Sequence, residues 1–275
     1  MKVVLDDWLR AARSRIDSRD AQVLAAHALG CGRAGLIARG REPLAADVHA
    51  VLDDLLDRRA AGEPVAYLVG RREFFGLALR VAPGVLIPRP ETEGLVELAL
   101  ERIGGFDAPR LLDAGTGSGA VALAIKAQCP RAAVSALDLS PDALAIARDN
   151  GARLGLEVEW IASNWLEAVA GRQFECIVSN PPYICSGDPH LGRGDLRFEP
   201  LAALASGEDG LDALRVLCRQ APDALVPGGW LLCEHGHEQA AAVRSLMRCA
   251  GLEDVASWRD LAGIERISGG RVAPY

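Results

Sequence analysis

From Arg110 onward, short apolar runs alternate with stretches patterned as helices, and this alternation narrows the possible folds more than any other feature of the chain. LLDA precedes a helical stretch over 118–128 and VSALDL one over 142–155; then come VEWIA, CIVSN, a helical stretch over 211–225, WLLCEHG and another over 238–250. Runs that are apolar throughout belong to strands covered on both faces, and strands joined through helices run parallel. The expectation is an α/β domain built on a mainly parallel sheet with helices on both faces.

Ahead of that domain the texture differs. Between Leu5 and about Ala61 the spacing is helical, with Leu24, Ala28 and Leu29 on one face and Leu44, Val48, Val51, Leu52, Leu55 and Leu56 on another. Ser18 is the expected cap of the first set and Gly30 its stop. Between Tyr67 and Pro88 the residues Leu77, Leu79 and Val81 alternate before Pro83-Gly84, which predicts a β-hairpin. The expected organisation is a helical domain over 1–72, a hairpin linker over 73–90 and the α/β domain over 91–275.

Composition excludes several classes of function. A net charge of −7 gives no global basic field for long nucleic-acid backbones. Asp6 and Asp7 interrupt any signal-peptide core and no apolar run is long enough for a membrane span, so a cytosolic protein is expected. Seven scattered cysteines without a CxxC pair argue against a disulfide framework or zinc site and predict reduced, mostly core thiols. His235 and His237 in CEHGH lack a third ligand, and no metal is expected.

Two segments carry the chemistry. DAGTGSG places Gly115, Gly117 and Gly119 between a strand and a helix, where glycine permits a sharp turn and close approach of a ligand to the backbone. It matches neither the GxGxxG dinucleotide fingerprint nor a Walker loop. The next strand ends in Asp138, a carboxylate placed to accept both ribose hydroxyls of a nucleoside. In FECIVSNPPY, Phe174, Ile177 and Val178 read as a buried strand that stops at Asn180, because Pro181 and Pro182 cannot continue a ladder.

Together DAGTGSG, Asp138 and SNPPY resemble class I (Rossmann-like) S-adenosylmethionine-dependent methyltransferases acting on planar nitrogens. PVAYLVGRREFFGL at 64–77, LIPRPETE at 86–93 and DPHLGRGDLRFEPLAAL at 188–204 narrow the likeness to the HemK/PrmC family of protein-(glutamine-N5) methyltransferases, whose architecture includes a helical N-terminal domain. The resemblance implies S-adenosyl-L-methionine as cofactor and the GGQ glutamine of peptide-chain release factors as substrate. It places Gly115, Thr116, Gly117, Ser118 and Gly119 against the methionine part, Asp138 on the ribose, and Asn164 and Trp165 at the adenine, with Asn180 also bordering the cofactor. Where the family has Asp-Trp this chain has Asn164-Trp165, and the Asn carbonyl is left as acceptor for the adenine amine.

A glutamine nitrogen is a poor nucleophile because its lone pair is delocalised into the carbonyl. Two fixed acceptors, the Asn180 side-chain oxygen and the Pro181 carbonyl, would take its N–H bonds and favour charge build-up at nitrogen, while Pro182 limits the backbone and Tyr183 stacks on the planar amide. Arg193, Asp195, Arg197 and Glu199 in RGDLRFEP are expected to pair with one another or hold the loop after NPPY, and Arg89 and Glu91 to cover the site or fix the linker. The expected partner is a release factor, with no membrane and no nucleic acid required, and the expected state is a monomer. Two rivals stand beside this reading. One is a DNA or RNA adenine methyltransferase, which meets the same delocalised nitrogen. The other is a non-catalytic cofactor-binding module that partners a translation factor.

Overall fold

The early apolar residues do form helices. In this computed structural model, which describes residues 3–274, α1 (Leu5–Ala12), α2 (Ser18–Ala28), α3 (Arg33–Ala38), α4 (Ala46–Ala60) and α5 (Val65–Val69) make up the first of two compact units. That unit takes in the chain through Arg71 together with Arg193–Phe198. Leu5, Trp8, Leu9 and Ala12 of α1 pack with Ala21 and Ala25 of α2, Leu36 of α3, and Leu52 and Leu56 of α4. Each large apolar side chain buried this way contributes about 1.5–3 kcal/mol. Trp8 Nε1 donates to Asp53 at 3.0 Å, so its polar edge is satisfied.

Two details of the helical reading change. The cap of α2 is Asp17, whose carboxylate accepts from the Arg19 N–H, and Ser18 is the first helical residue. Val51 is half exposed, because it lies at the edge of the stripe that Leu52, Leu55 and Leu56 bury. Gly30 does follow α2 in the left-handed region. The RGDLRF charges pair with α4 and the turn after it, not with one another: Asp195 accepts at 2.9 Å from Arg59, which also donates to Asp20 of α2 at 2.7 Å, and Arg197 donates to the Ala61 carbonyl.

The second unit runs over Arg72–Gly192 and from Glu199 onward. Its hairpin is β1 (Arg71–Phe74) and β2 (Leu77–Arg80), and the turn is Phe75-Gly76, not Pro83-Gly84. Phe75 and Gly76 both have positive φ (51° and 77°), as the tight two-residue hairpin turns require. The cost at Phe75 is offset in part by its N–H donating to Glu93 Oε1 at 3.0 Å.

A turn over Pro90–Thr92 leads into α6 (Glu93–Ile103), and the alternation then unfolds as expected through β3 (Arg110–Ala114), α7 (Ala120–Gln128), β4 (Ala133–Asp138), α8 (Pro141–Leu154), β5 (Glu159–Ala162), β6 (Phe174–Ser179), α9 (Asp212–Ala224), β7 (Leu225–Glu234) and α10 (Ala240–Cys249). Two further strands, β8 (Glu253–Arg259) and β9 (Glu265–Arg271), complete a sheet of order β5-β4-β3-β6-β7-β9-β8. The five strands β3 to β7 are parallel, and β9 runs antiparallel to both β7 and β8.

Side chains alternate between faces along each strand. Leu111, Cys176, Val178 and Leu232 join the core beneath α6 and α7, while Leu112, Ile177, Leu231 and Cys233 join the core beneath α9 and α10. This is why the strands read as unbroken apolar runs. All seven cysteines are free, but only Cys176, Cys218 and Cys233 are fully buried and Cys249 is exposed, so the thiols are less uniformly core than expected. Among the described residues no helix is long and apolar enough to cross a membrane.

Candidate active site

Parallel strands collect their carboxyl ends on one edge of a sheet, where the connecting loops are free to carry function. Here the ends of β3, β4 and β6, with the loop after β5, border a cavity of about 410 Å³. Gly115, Thr116, Gly117, Ser118, Asp138, Asn164, Trp165, Asn180 and Pro182 all line it. Gly119, Pro181 and Tyr183 do not. Gly119 instead starts α7, where an added Cβ would come within 3.2 Å of Trp160, Leu123 and Ala147.

The glycine loop is held from beneath. Asp113 is buried, and its Oδ2 accepts from Thr116 Oγ1 at 2.6 Å and from the Ala122 N–H at 3.2 Å. Burial pushes this carboxyl up to about 6 against the pull of those two hydrogen bonds. Gly117 N–H donates to Asp138 Oδ2 at 2.8 Å and Ser140 N–H to Oδ1 at 2.9 Å. Each Asp138 oxygen keeps a lone pair for a ligand hydroxyl, since an ionised carboxylate offers about four acceptor sites. Asn150 ties the hairpin to the loop: it accepts from Arg80 N–H at 2.7 Å and donates to the Ser118 carbonyl at 2.9 Å.

Trp165 has positive φ (48°), uncommon for an aromatic residue, and Ser163 holds it there by donating to its carbonyl at 2.6 Å. Asn164 Nδ2 donates to Glu167 Oε1 at 2.7 Å, which fixes the amide and frees Oδ1 as an acceptor. An Asp at position 164 would set a second carboxylate against Glu167, so Asn here matches its own neighbour.

At the end of β6 the same device recurs. Asn180 Nδ2 donates to Thr92 Oγ1 at 3.0 Å, leaving Oδ1 as the unpledged acceptor of a residue that borders the cavity. Tyr183 O–H donates to Glu234 Oε1 at 3.3 Å, and its own carbonyl accepts from Gln239. Arg89 pairs with the buried Glu199, which also accepts from the Ile87 N–H at 2.9 Å. Arg89 therefore fastens the 86–91 segment to Glu199.

Thr92 and Glu234 escaped the sequence reading. Glu234 is the last residue of β7, directly before the histidines of CEHGH. His235 is buried and bonded to Ser268 and to the Gly236 carbonyl, and burial lowers its pKa; His237 is exposed beside Glu238. Among the described residues no group of three or more potential ligands gathers to hold a metal.

Residues 7–70 match the PrmC N-terminal domain family and residues 95–190 the methyltransferase small domain family. A release factor glutamine methyltransferase of Xylella fastidiosa is 52% identical over 96% of this chain and 96% of its own length. The chain belongs to the release factor glutamine methyltransferase family. The Escherichia coli member is 45% identical over 96% of this chain and 97% of its own length. Solved structures place the family's sheet among methyltransferases. One from Pyrococcus furiosus has a TM-score of 0.54 at 17% identity, covering 80% of this chain and 99% of its own. A SAM-dependent methyltransferase from Agrobacterium tumefaciens has a TM-score of 0.50 at 18% identity, covering 73% and 69%. The expected class I methyltransferase fold is the one observed.

Proposed function

We propose that this chain transfers a methyl group from S-adenosylmethionine to the side-chain amide nitrogen of the glutamine in the GGQ motif of peptide-chain release factors. Family membership supports the reaction. The observation that carries the mechanism is the Asn180 amide, held by Thr92 so that an oxygen acceptor is left at the strand end where the cavity opens.

The residues present fit the cofactor. Gly117 leaves open space where a Cβ would stand, Asp138 retains two acceptor positions for ribose hydroxyls, and Asn164 offers Oδ1 to an adenine amine beside the Trp165 ring. When bound, S-adenosylmethionine supplies an electrophilic methyl group on a sulfonium. Asn180 Oδ1 and the Pro181 carbonyl take the two N–H bonds of the target amide and turn its nitrogen toward that methyl. As charge develops on nitrogen the two acceptors gain strength, so the arrangement stabilises the transition state more than the ground state. Pro181 and Pro182 restrict the backbone that carries them, and Tyr183 closes the segment. A single-site monomer working in the cytoplasm, where its substrate is made, fits this reaction.

Incubation with methyl-labelled cofactor and a panel of release factor, tRNA and duplex DNA tests the reading. Label in the release factor alone is expected; label in nucleic acid would revive the adenine methyltransferase, and label in none of them the non-catalytic module.

The helical unit we assign to docking of the folded substrate, since one glutamine offers too little surface for selection. Ile37, 76% exposed on α3, is the barest large apolar residue among the described residues of that unit. Ile37→Asp should raise KM for a folded release factor about tenfold, the scale of one apolar contact of 1–2 kcal/mol. A short GGQ peptide should be methylated as before. Equal effects on both substrates would remove the docking role.

A further inference from the structure

β7 ends in Glu234, one strand over from Asn180 on the same edge of the sheet, with Cys233 paired to Ser179. Glu234 is 2% exposed. Tyr183 O–H donates to its Oε1, the Thr92 hydroxyl stands next to the same carboxylate, and Oε2 has no hydrogen-bond partner among the described residues. Thr92 is itself buried and stands between Glu234 and Asn180.

A threonine hydroxyl has one proton to give. If it gives that proton to Glu234, it can only accept from Asn180, and the Asn180 amide must then present its NH₂ to Thr92 and its oxygen to the cavity. We propose that Glu234 is the positioning residue that sets the polarity of Asn180: as a carboxylate it takes the Thr92 proton and so commits Asn180 Oδ1 to the methyl-accepting amide. This rests on the role given to Asn180 in the proposed function.

The protonation state of Glu234 then governs the site. An ionised carboxylate only accepts. Once protonated, Glu234 can donate to Thr92, Thr92 can donate to Asn180 Oδ1, and the amide can turn to place N–H groups against the N–H bonds of the substrate. Burial pushes Glu234 up to about 7; the neighbouring Thr92 and Tyr183 hydroxyls and the Arg266 charge pull it down, and the Glu91 charge pushes it further up. Burial holds the Tyr183 phenol well above its ordinary value, with Arg266 and Arg89 opposing, and burial lowers His235.

Stability has the opposite dependence. A carboxyl whose folded pKa is raised stabilises the fold at low pH, and that contribution is lost as pH rises from its unfolded value through about 7. Ionised Glu234 therefore costs stability under the conditions in which it would serve turnover.

The test uses the full-length enzyme and a folded release factor. Wild-type kcat should rise as pH increases through about 7. Glu234→Gln, which can donate to Thr92, should lower kcat about 10- to 100-fold, less than the 10²–10³ for removing a direct contact. It should leave KM for the release factor and cofactor affinity unchanged, lose the limb near pH 7, and melt no lower than wild type above pH 7. Thr92→Val should show a comparable loss of kcat, and the double variant should be no worse than either single one, because the three residues act as one chain. Retention of wild-type kcat and the pH limb in Glu234→Gln, or additive losses in the double variant, would overturn the proposal. Should Glu234→Gln fail to fold, Thr92→Val carries the test alone, and normal turnover in it refutes the relay. Failure of the proposed function would show separately, as wild-type methylation of some other acceptor.

Discussion

Asn180→Ala should lower turnover by on the order of 10² to 10³ and leave cofactor affinity within about threefold, because in the proposed mechanism the lost oxygen acts on the target amide rather than on the cofactor. Asn180 lies just beyond β6, whose residues apart from Glu175 are buried, so its backbone has little freedom, and its side chain has one protein partner, Thr92. Removing the side chain takes away the acceptor and frees the Thr92 hydroxyl, with little change in the core. Single-turnover methylation together with calorimetry on the same preparation separates the two effects. Turnover within a few-fold of wild type would show that another group orients the amide.

Gly117→Val should weaken cofactor binding by about 100-fold or more. Gly117 has φ +56°, and no protein atom lies within 4 Å of where its Cβ would stand, so the space the valine enters belongs to the cavity. Left-handed backbone in a β-branched residue adds a strain of about 1–2 kcal/mol, which also loosens the N–H that donates to Asp138. Gly119→Val is the contrasting variant. Its Cβ would meet Trp160, Leu123 and Ala147, so its damage should appear as a lowered melting temperature. Calorimetry on folded Gly117→Val, with unchanged affinity, would mean that the ligand does not lie against this loop.

The parallel part of the fold was legible because strands covered on both faces must be apolar at every position, as LLDA and CIVS are. The last two strands were not, and the reason lies in ISGG of β9. A Cβ at Gly269 would stand 2.5 Å from Leu232 and 2.9 Å from the Leu231 carbonyl, so packing there demands residues without β-propensity. The hairpin turn was misplaced for a related reason: Pro83-Gly84 carries familiar turn chemistry, whereas the actual turn uses Phe75 in a conformation that phenylalanine seldom adopts. Asp17 and Ser18 are both good caps, and only the observed hydrogen bond separates them.

Within the site, the glycine loop, Asp138 and NPPY carry recognisable local patterns. Thr92 and Glu234 carry none. Each is an ordinary residue in its own segment and gains its meaning from partners far along the chain, Asn180 standing 88 positions after Thr92 and Glu234 51 positions after Tyr183. Glu167 likewise gives Asn164 its orientation, which no reading of position 164 alone supplies.

The atom that receives the methyl group is the most direct arbiter of the mechanism, and fragmentation mass spectrometry of a release factor labelled by this enzyme identifies it. A single methyl group on the side-chain nitrogen of the GGQ glutamine, abolished when that glutamine is replaced, is the predicted result. Methyl on any other residue, or on a backbone or carbon position, would contradict the proposed mechanism, in which two acceptors grip the planar glutamine amide.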